Sequence, residues 1–525
     1  MLDSDLTERE TERLTHQVAL DSERTAQERN AMGQFATPPV LAADVMRFAL
    51  ALHGQRPIRF LEPSCGSGSF FSALLAQATE SSIEAATGIE LDERFADVAE
   101  NLWGSHGLRV LRGDFFDQSQ RLTDDATLLV ANPPYVRHHH LTGDQKRALQ
   151  ARTKVETGIR VSGLAGLYVY FLLLSHRLLA PGAVSAWLIP SEFLDTNYGK
   201  AIRQYLAQKV TLNRIHRFDP EGTQFDDALV TSAVVVFTNA APPAEHRVSF
   251  TQGGTTNTPE AEWFYRQSSL DPRSKWGRLF SDGAVLDADR PPYPRFDMFL
   301  KIRRGIATGN KDFFVLPREE IERRGIRRSS VVPMMPQPRH LKDDVIEGDR
   351  EGYPVLDSQA AVIHPHGSTV AEVRENDPAM ADYLESVDQK TLDAYLVKSR
   401  RVWFQTENRE PAPFLLTYMG RGTIKIDRPF RFILNRSQAI TSNMFLMLYP
   451  IGPLADALDR GETTLEAVFE ALLSITAEEL LAGGRVYGGG LRKIEPRELA
   501  AMDAHVIADL LPNFTMPEAT AEHLF

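Results

Sequence analysis

The stretch Ile58-Arg59-Phe60-Leu61-Glu62-Pro63-Ser64-Cys65-Gly66-Ser67-Gly68-Ser69-Phe70 decides the fold. An apolar run, Ile58–Leu61, reads as a strand that enters a glycine-rich turn, and the turn opens the helical pattern Phe70–Ala78. Glycines in such a turn let a ligand approach the backbone, and the helix N-terminus supplies N–H donors. Working outward, Ala85–Ile89, Leu108–Leu111 and Thr127–Ala131 read as further strands, with Arg94–Leu102 as a helix between the first two. Beyond them come Tyr168–Leu179 as helix and Val184–Ile189, Leu212–Phe218 and Val230–Phe237 as strands. Strands alternating with helices predict an α/β domain: a Rossmann-like, doubly wound, mostly parallel sheet with helices on both faces. The β-branched run Val234-Val235-Val236 suits a strand buried on both faces.

The chain is 525 residues long, enough for two to four domains. With 43% apolar and 24% charged residues its composition is that of an ordinary globular protein. A single cysteine excludes a disulfide framework within the chain and any multi-cysteine zinc site. Met1–Glu10 is acidic and lacks the apolar core of a secretory signal. The longest apolar stretch, Leu164–Leu174, is cut by Ser175, His176 and Arg177, well short of the about twenty residues a spanning helix needs. A cytoplasmic protein with no membrane partner is expected. Residues 1–30 form an acidic extension, read as a solvated or loosely docked helix. Residues 31–240 form the α/β domain. Residues 241–295, rich in Pro, Gly and Thr, read as a linker that can hold a small hairpin, and residues 296–525 as a second, mixed α+β domain.

Two carboxylate-bearing positions give the α/β domain a chemistry. Glu90 stands twenty-two residues after Gly68, at the end of the second apolar run, where a carboxylate holds ribose hydroxyls in nucleotide folds. The third run ends in Asp114-Phe115, an acid that can accept an adenine amino hydrogen bond beside a ring that can stack. In the alternative reading Phe115 is core and Asp114 caps a helix. The position of a third glycine in a dinucleotide loop is Phe71, and no Walker lysine follows, so a nucleoside without pyrophosphate fits better. Cys65 reads as a small apolar filler.

The fourth strand runs into Asn132-Pro133-Pro134-Tyr135. Consecutive prolines stiffen the turn and keep the preceding residue extended. The Asn132 side-chain oxygen and the Pro133 carbonyl can then present two acceptors to an exocyclic amine, and Tyr135 a flat face to a planar base. Accepting both amine hydrogens favours a pyramidal nitrogen whose lone pair can attack an electrophilic methyl group. His138-His139-His140 cannot all face one ion in regular structure, so with Arg137 they read as a loop facing phosphate, and no metal is expected.

With these motifs in this order, the chain resembles the gamma-class, S-adenosylmethionine-dependent DNA adenine-N6 methyltransferases of restriction–modification systems. The order is Gly33-Gln34-Phe35-Ala36-Thr37-Pro38, the Glu62–Phe70 loop, Glu90, Asp114-Phe115, Asn132–Tyr135 and then a recognition domain. The resemblance is good over about residues 31–239. It continues more weakly through Arg304–Asn310 and Gly488–Pro496. It implies that Thr37, Glu62, Gly66 and Gly68 hold the methionine part of the cofactor, Glu90 the ribose, and Asp114 with Phe115 the adenine. Asn132 and Pro133 would bind the target amine, Tyr135 would stack on the base, and Phe225 would pack on its other side.

The net charge of −12 argues at first against a nucleic-acid partner, but its distribution argues for one. Residues 1–30 carry eight acids against four arginines, whereas residues 301–350 carry twelve Lys/Arg against eight acids and residues 396–436 nine against three. Arg303, Arg304, Lys311, Lys398, Arg400, Arg401, Arg421, Lys425 and Arg436 are the candidate DNA contacts. The expected partners are duplex DNA and a separately encoded cognate restriction endonuclease, with the protein acting as a monomer. With about thirty residues ahead of the Gly33 motif, no fused nuclease is expected. An RNA or protein-glutamine methyltransferase shares the Asn-Pro-Pro-Tyr chemistry; the large second domain with its basic stretches argues against the glutamine enzyme, which needs no such reader. A non-catalytic DNA-binding module would not need the loop, Glu90 and Asn132–Tyr135 together.

Overall fold

The computed structural model of the chain describes residues 4–25, 28–29, 32–218, 231–281, 293–421, 430–477, 479–480, 485–487 and 491–516. It divides into two compact units, the first comprising residues 1–290 with 487–489 and the second the remainder.

The first unit is built on a nine-stranded sheet. Its strands are β1 (Ile58–Glu62), β2 (Ile83–Glu90), β3 (Leu108–Arg112), β4 (Ala126–Ala131), β5 (Leu179–Pro190), β6 (Thr211–Arg217), β7 (Ser232–Thr238), β8 (Arg247–Gly254) and β9 (Pro259–Arg266). Their spatial order is β3-β2-β1-β4-β5-β7-β6-β8-β9. Strands β1 to β5 run parallel. Strand β7 inserts antiparallel between β5 and β6, as a mostly parallel sheet allows. A strand buried on both faces carries the same apolar run in either direction, so its sequence does not reveal its sense. Alternate residues feed opposite cores: Val235 and Phe237 face one, Val234 and Val236 the other. All four are 1% exposed or less.

Helices cover both faces. They are α1 (Ser4–Ser22), α2 (Pro39–His53), α3 (Ser69–Leu75), α4 (Glu93–Trp103), α5 (Phe115–Gln118), α6 (Gly143–Thr157), α7 (Leu167–Ser175) and α8 (Lys200–Gln208). Their ends follow local chemistry. Pro39 starts α2, Asp92 caps α4 by accepting from the Arg94 N–H, and a Thr142–Gln145 capping box starts α6.

Two expectations for this unit are corrected. The stretch read as a linker holds the hairpin allowed for it, but that hairpin, β8 and β9, extends the sheet beyond β6 and so belongs to the first unit. Their turn is pinned to α2, where the Asp44 carboxylate accepts from the Thr256 N–H at 2.7 Å and from Asn257 Nδ2 at 2.7 Å. The N-terminal helix is also firmly docked. It lies against α3 and α4 with Arg13 1% exposed and Gln17 8% exposed.

The second unit is mixed α+β. A five-stranded sheet places Leu300–Arg304, Phe445–Pro450, Phe414–Thr417, Phe432–Asn435 and Val345–Ile346 side by side. A three-stranded sheet pairs Ala360–Ile363 with Val315–Pro317 and Val331–Met334. Alternate residues of the larger sheet again feed two cores, with Leu415, Ile433 and Met447 on one face and Phe414, Leu434 and Leu448 on the other.

Candidate functional site

The chain proceeds from β1 outward to β3 and then returns to the other side of β1 as β4. Ligands bind in α/β sheets at such a reversal, beyond the strand ends. Here the turn after β1 and the Asn132–Tyr135 segment after β4 lie together, and the Ser64 hydroxyl donates to the Asn132 carbonyl at 3.0 Å.

Two glycines shape the turn. Gly68 has φ +88, and a Cβ there would meet the Trp103 ring at 2.6 Å, so the loop lies directly on α4. Gly66 has φ +52 with open space where its Cβ would be. The loop is therefore closed at its back and accessible at Gly66. Cys65 is buried and fills the space a side chain at Gly88 would need, at 2.8 Å from that hypothetical Cβ. Burial pushes its thiol up, as suits a filler.

The segment from Gly33 to Pro38 leads into α2 and joins the two halves of the site. The Tyr135 N–H donates to the Gly33 carbonyl at 3.0 Å. The Ser69 hydroxyl donates to the Thr37 carbonyl at 3.0 Å. Asn132 Nδ2 donates to the Phe35 carbonyl at 3.0 Å and to Thr37 Oγ1 at 3.1 Å. A carbonyl can only accept, so the Phe35 contact fixes which end of the amide faces it. Asn132 Oδ1 points the other way, buried and without a hydrogen-bond partner. A buried acceptor left open in this way costs stability unless a ligand fills it. Tyr135 is 7% exposed. Its hydroxyl donates to the Leu188 carbonyl at 3.2 Å, and its ring lies 5.5 Å from that of Phe35.

The carboxylates are also placed around the turn. Glu62 is 2% exposed, and its Oε2 has no hydrogen-bond partner. Burial pushes its carboxyl well above the usual range, Glu90 adds to that, and the Arg13 guanidinium opposes it. The Glu90 carboxylate accepts from the Gly66 N–H at 2.8 Å and the Asp92 N–H at 2.9 Å. Its burial pushes it up as well. A carboxylate has about four lone-pair sites, so Glu90 keeps capacity for further donors. Asp114 caps α5 by accepting from the Phe116 N–H at 2.7 Å. Phe115, 2% exposed, stacks on Phe171 with ring centres 4.6 Å apart. Capping and core roles are thus both present, with the Phe116 N–H on one oxygen of the Asp114 carboxylate. Phe225 lies outside the described residues.

The basic candidates divide by their partners. Arg137, Arg303, Lys311 and Arg401 are exposed. Arg304 lies over the Tyr418 ring at 4.3 Å. Lys398 pairs with Asp393 at 2.9 Å, and Arg436 pairs with Glu347 and, at 2.6 Å, with Glu466. Arg400 donates to the Thr308 carbonyl at 2.7 Å and the Ala307 carbonyl at 3.2 Å, with its guanidinium over Phe314. It clamps the Arg304–Asn310 loop. Arg421 ends a short strand, and Lys425 lies outside the described residues. That loop borders a cavity of about 570 Å³ whose polar lining includes Thr308, Lys311, Gln337, His340 and Asn443. Sequence reasoning did not find Phe35, Ser64 and Arg13 as supports of the site. Gly33 and Phe35 stood inside a quoted motif, but nothing in their types signals backbone stitching.

Two family models match the chain: the Eco57I restriction-modification methylase over residues 112–224 and the C-terminal domain of type II methyltransferase M.Eco57I over residues 286–515. Type II methyltransferase M.AccI of Acinetobacter calcoaceticus is 26% identical, the alignment covering 90% of this chain and 85% of M.AccI. Type II methyltransferase M.XamI of Xanthomonas campestris pv. amaranthicola is also 26% identical, covering 89% of this chain and 84% of M.XamI. Among solved structures, the type IIL restriction-modification enzyme MmeI in complex with DNA aligns over 91% of this chain and 73% of its own, at 14% identity and TM-score 0.52. The type IIG restriction endonuclease BpuSI aligns over 91% of this chain at 15% identity and TM-score 0.43, and this chain spans 60% of BpuSI's length. The two family matches and the relatives aligned across both units agree, and in both of its parts the chain is similar to type II restriction–modification methyltransferases.

Proposed function

We propose that this protein is a site-specific DNA methyltransferase that transfers a methyl group from S-adenosylmethionine to N6 of an adenine flipped out of duplex DNA. In this reading it acts as a monomer, in the cytoplasm, as the modification half of a restriction–modification system with a separately encoded endonuclease. The observation that carries the reading is Asn132: both its amide hydrogens are committed to Phe35 and Thr37, and its Oδ1 is a fixed, buried, open acceptor. An exocyclic amine is the partner such an acceptor fits.

The cofactor fits the same site. Glu62 Oε2 is a second buried atom without a partner, suited to an α-ammonium group. Glu90 retains lone pairs for ribose hydroxyls, and the open backbone at Gly66 allows close approach. S-adenosylmethionine supplies an electrophilic methyl group on a sulfonium when bound. The protein's own work is positioning. Asn132 Oδ1 and the Pro133 carbonyl accept the two amine hydrogens and turn the nitrogen lone pair toward the methyl, while Tyr135 limits the tilt of the base. Extruding the base costs a few kcal/mol of stacking and pairing. The basic stretches of the second unit, residues 301–350 and 396–436, offset that cost by contacts to the duplex.

The test is transfer of labelled methyl from S-adenosylmethionine to duplex DNA, followed by sequencing that maps modified adenines. Asn132→Ala should abolish transfer and leave binding of S-adenosylhomocysteine intact. Methylation of RNA alone, or of no nucleic acid, would overturn the reading.

A further inference from the structure

The N-terminal segment contains the most deeply buried charge in the first unit. Arg13, on α1, is 1% exposed. Its guanidinium holds Glu10 in a two-point pair, Nε to Oε2 at 2.8 Å and Nη2 to Oε1 at 2.6 Å. Its Nη1 donates to the hydroxyl of Ser67, inside the glycine turn, at 3.0 Å. That hydroxyl in turn donates to Gln17 at 2.8 Å, so the Ser67 side chain is satisfied wholly by α1. Glu10 also accepts from Ser72 of α3 at 2.6 Å. Two further arginines complete the attachment. Arg9 donates to the Leu102 carbonyl at 2.8 Å. Arg24 reaches Asp92, two residues beyond Glu90, at 2.8 Å and Gln34 of the lead-in segment at 2.7 Å.

Residues Glu10, Arg13 and Gln17 recur at helical spacing and form one polar face aimed at the turn, at α3 and, through Arg24, at the residues after β2. A surface helix needing only anchorage would present an apolar stripe. We propose that α1 belongs to the cofactor site, with Arg13 as a positioning residue that holds the Cys65–Gly68 turn through Ser67, so that docking of residues 4–25 sets the affinity for S-adenosylmethionine. The inference rests on the cofactor reading given above. The groups facing Glu62 are consistent with it: Glu90 on β2, the Cys65 thiol of the turn, the Phe71 N–H on α3, and Arg13, the cation that favours its ionised form.

The experiment compares wild type, Arg13→Met, Arg13→Lys and Ser67→Ala in the full chain. Calorimetry measures S-adenosylhomocysteine binding between pH 6 and 9, steady-state kinetics measure KM and kcat, and thermal denaturation measures the fold. Arg13→Met should weaken cofactor binding and raise the cofactor KM by about tenfold. Its kcat at saturating cofactor should stay within about twofold, and its DNA affinity should not change. Its affinity should also recover at higher pH than in wild type, because Glu62 has lost the cation that favours ionisation. Arg13→Lys should restore part of the affinity. A folded Arg13→Met with wild-type cofactor affinity would overturn the inference alone. If that variant does not fold, Ser67→Ala decides, since unchanged affinity there refutes the turn-holding role. Wild-type protein that binds no S-adenosylhomocysteine would overturn the cofactor reading itself, and this inference with it.

Discussion

Replacing Gly33 with alanine should slow methyl transfer by about a hundredfold without removing the cofactor. Gly33 has φ +64, and a Cβ there would sit 2.4 Å from the Tyr135 nitrogen and 2.5 Å from the Tyr135 carbonyl carbon and the Val136 nitrogen. Ordinary contact begins near 3.4 Å, and every obstructing atom is backbone, so no rotamer change relieves the clash. The lead-in segment and the Asn132–Tyr135 segment must part by about 1 Å. That movement breaks the Tyr135-to-Gly33 hydrogen bond and pulls the Asn132 amide from Phe35 and Thr37. A misplacement of about 1 Å in reacting groups costs about 10²-fold in rate, or about 2.7 kcal/mol. Left-handed backbone in an alanine adds roughly 1–2 kcal/mol of instability. Single-turnover transfer of labelled methyl to DNA measures the rate, and S-adenosylhomocysteine affinity should stay within about threefold of wild type. Gly158→Ala is the control. Gly158 has φ +75 with nothing within 4 Å, so that variant carries the strain without the clash and should lose Tm but not rate. A Gly33→Ala enzyme within about fivefold of the wild-type rate would refute the stitching argument.

Other outcomes follow from the same geometry. Glu62→Gln should raise the Tm of the cofactor-free protein at neutral pH and weaken S-adenosylhomocysteine binding. Its carboxyl is pushed up in the folded state, so wild-type stability falls as pH rises from about 4.5 through that raised value, and the two melting curves should converge at lower pH. Arg401→Ala should weaken DNA binding and reduce the slope of log affinity against log salt by about 1. Arg436→Ala should leave that slope unchanged, because Glu347 and Glu466 already neutralise the charge.

Much of the first unit was legible because its strands are buried and bounded by turn residues. Ile58–Leu61, Leu108–Leu111 and Thr127–Ala131 differ from the observed β1, β3 and β4 by a residue at one end. The site's two motifs were legible for a related reason: glycine pairs and consecutive prolines dictate backbone shape wherever they stand. What sequence could not convey was polar docking. The α1 face of Glu10, Arg13 and Gln17 has no apolar period, so it read as a solvated helix although Arg13 is among the most buried residues of the chain. Basic runs hid a similar ambiguity, since Arg400 and Arg401 are neighbours in sequence but one clamps a loop and the other is exposed. For Asp114 and Phe115 both readings were open, and the helix cap and core stack leave both open.

The β8–β9 hairpin bears on how the first unit can be isolated. Phe250 packs among Tyr265, Trp276 and Phe280, all lying beyond the boundary near residue 240 that composition suggests. A fragment ending there would leave one edge of β6 unpaired over Arg214–Arg217 and strip aromatic cover from the core behind it. An unpaired strand edge is a template for self-association. Such a fragment should precipitate, and one extended through Phe280 should stay in solution. β9 itself places Glu260, Glu262, Phe264 and Arg266 outward, and its charges make it a poor seat for a tenth strand.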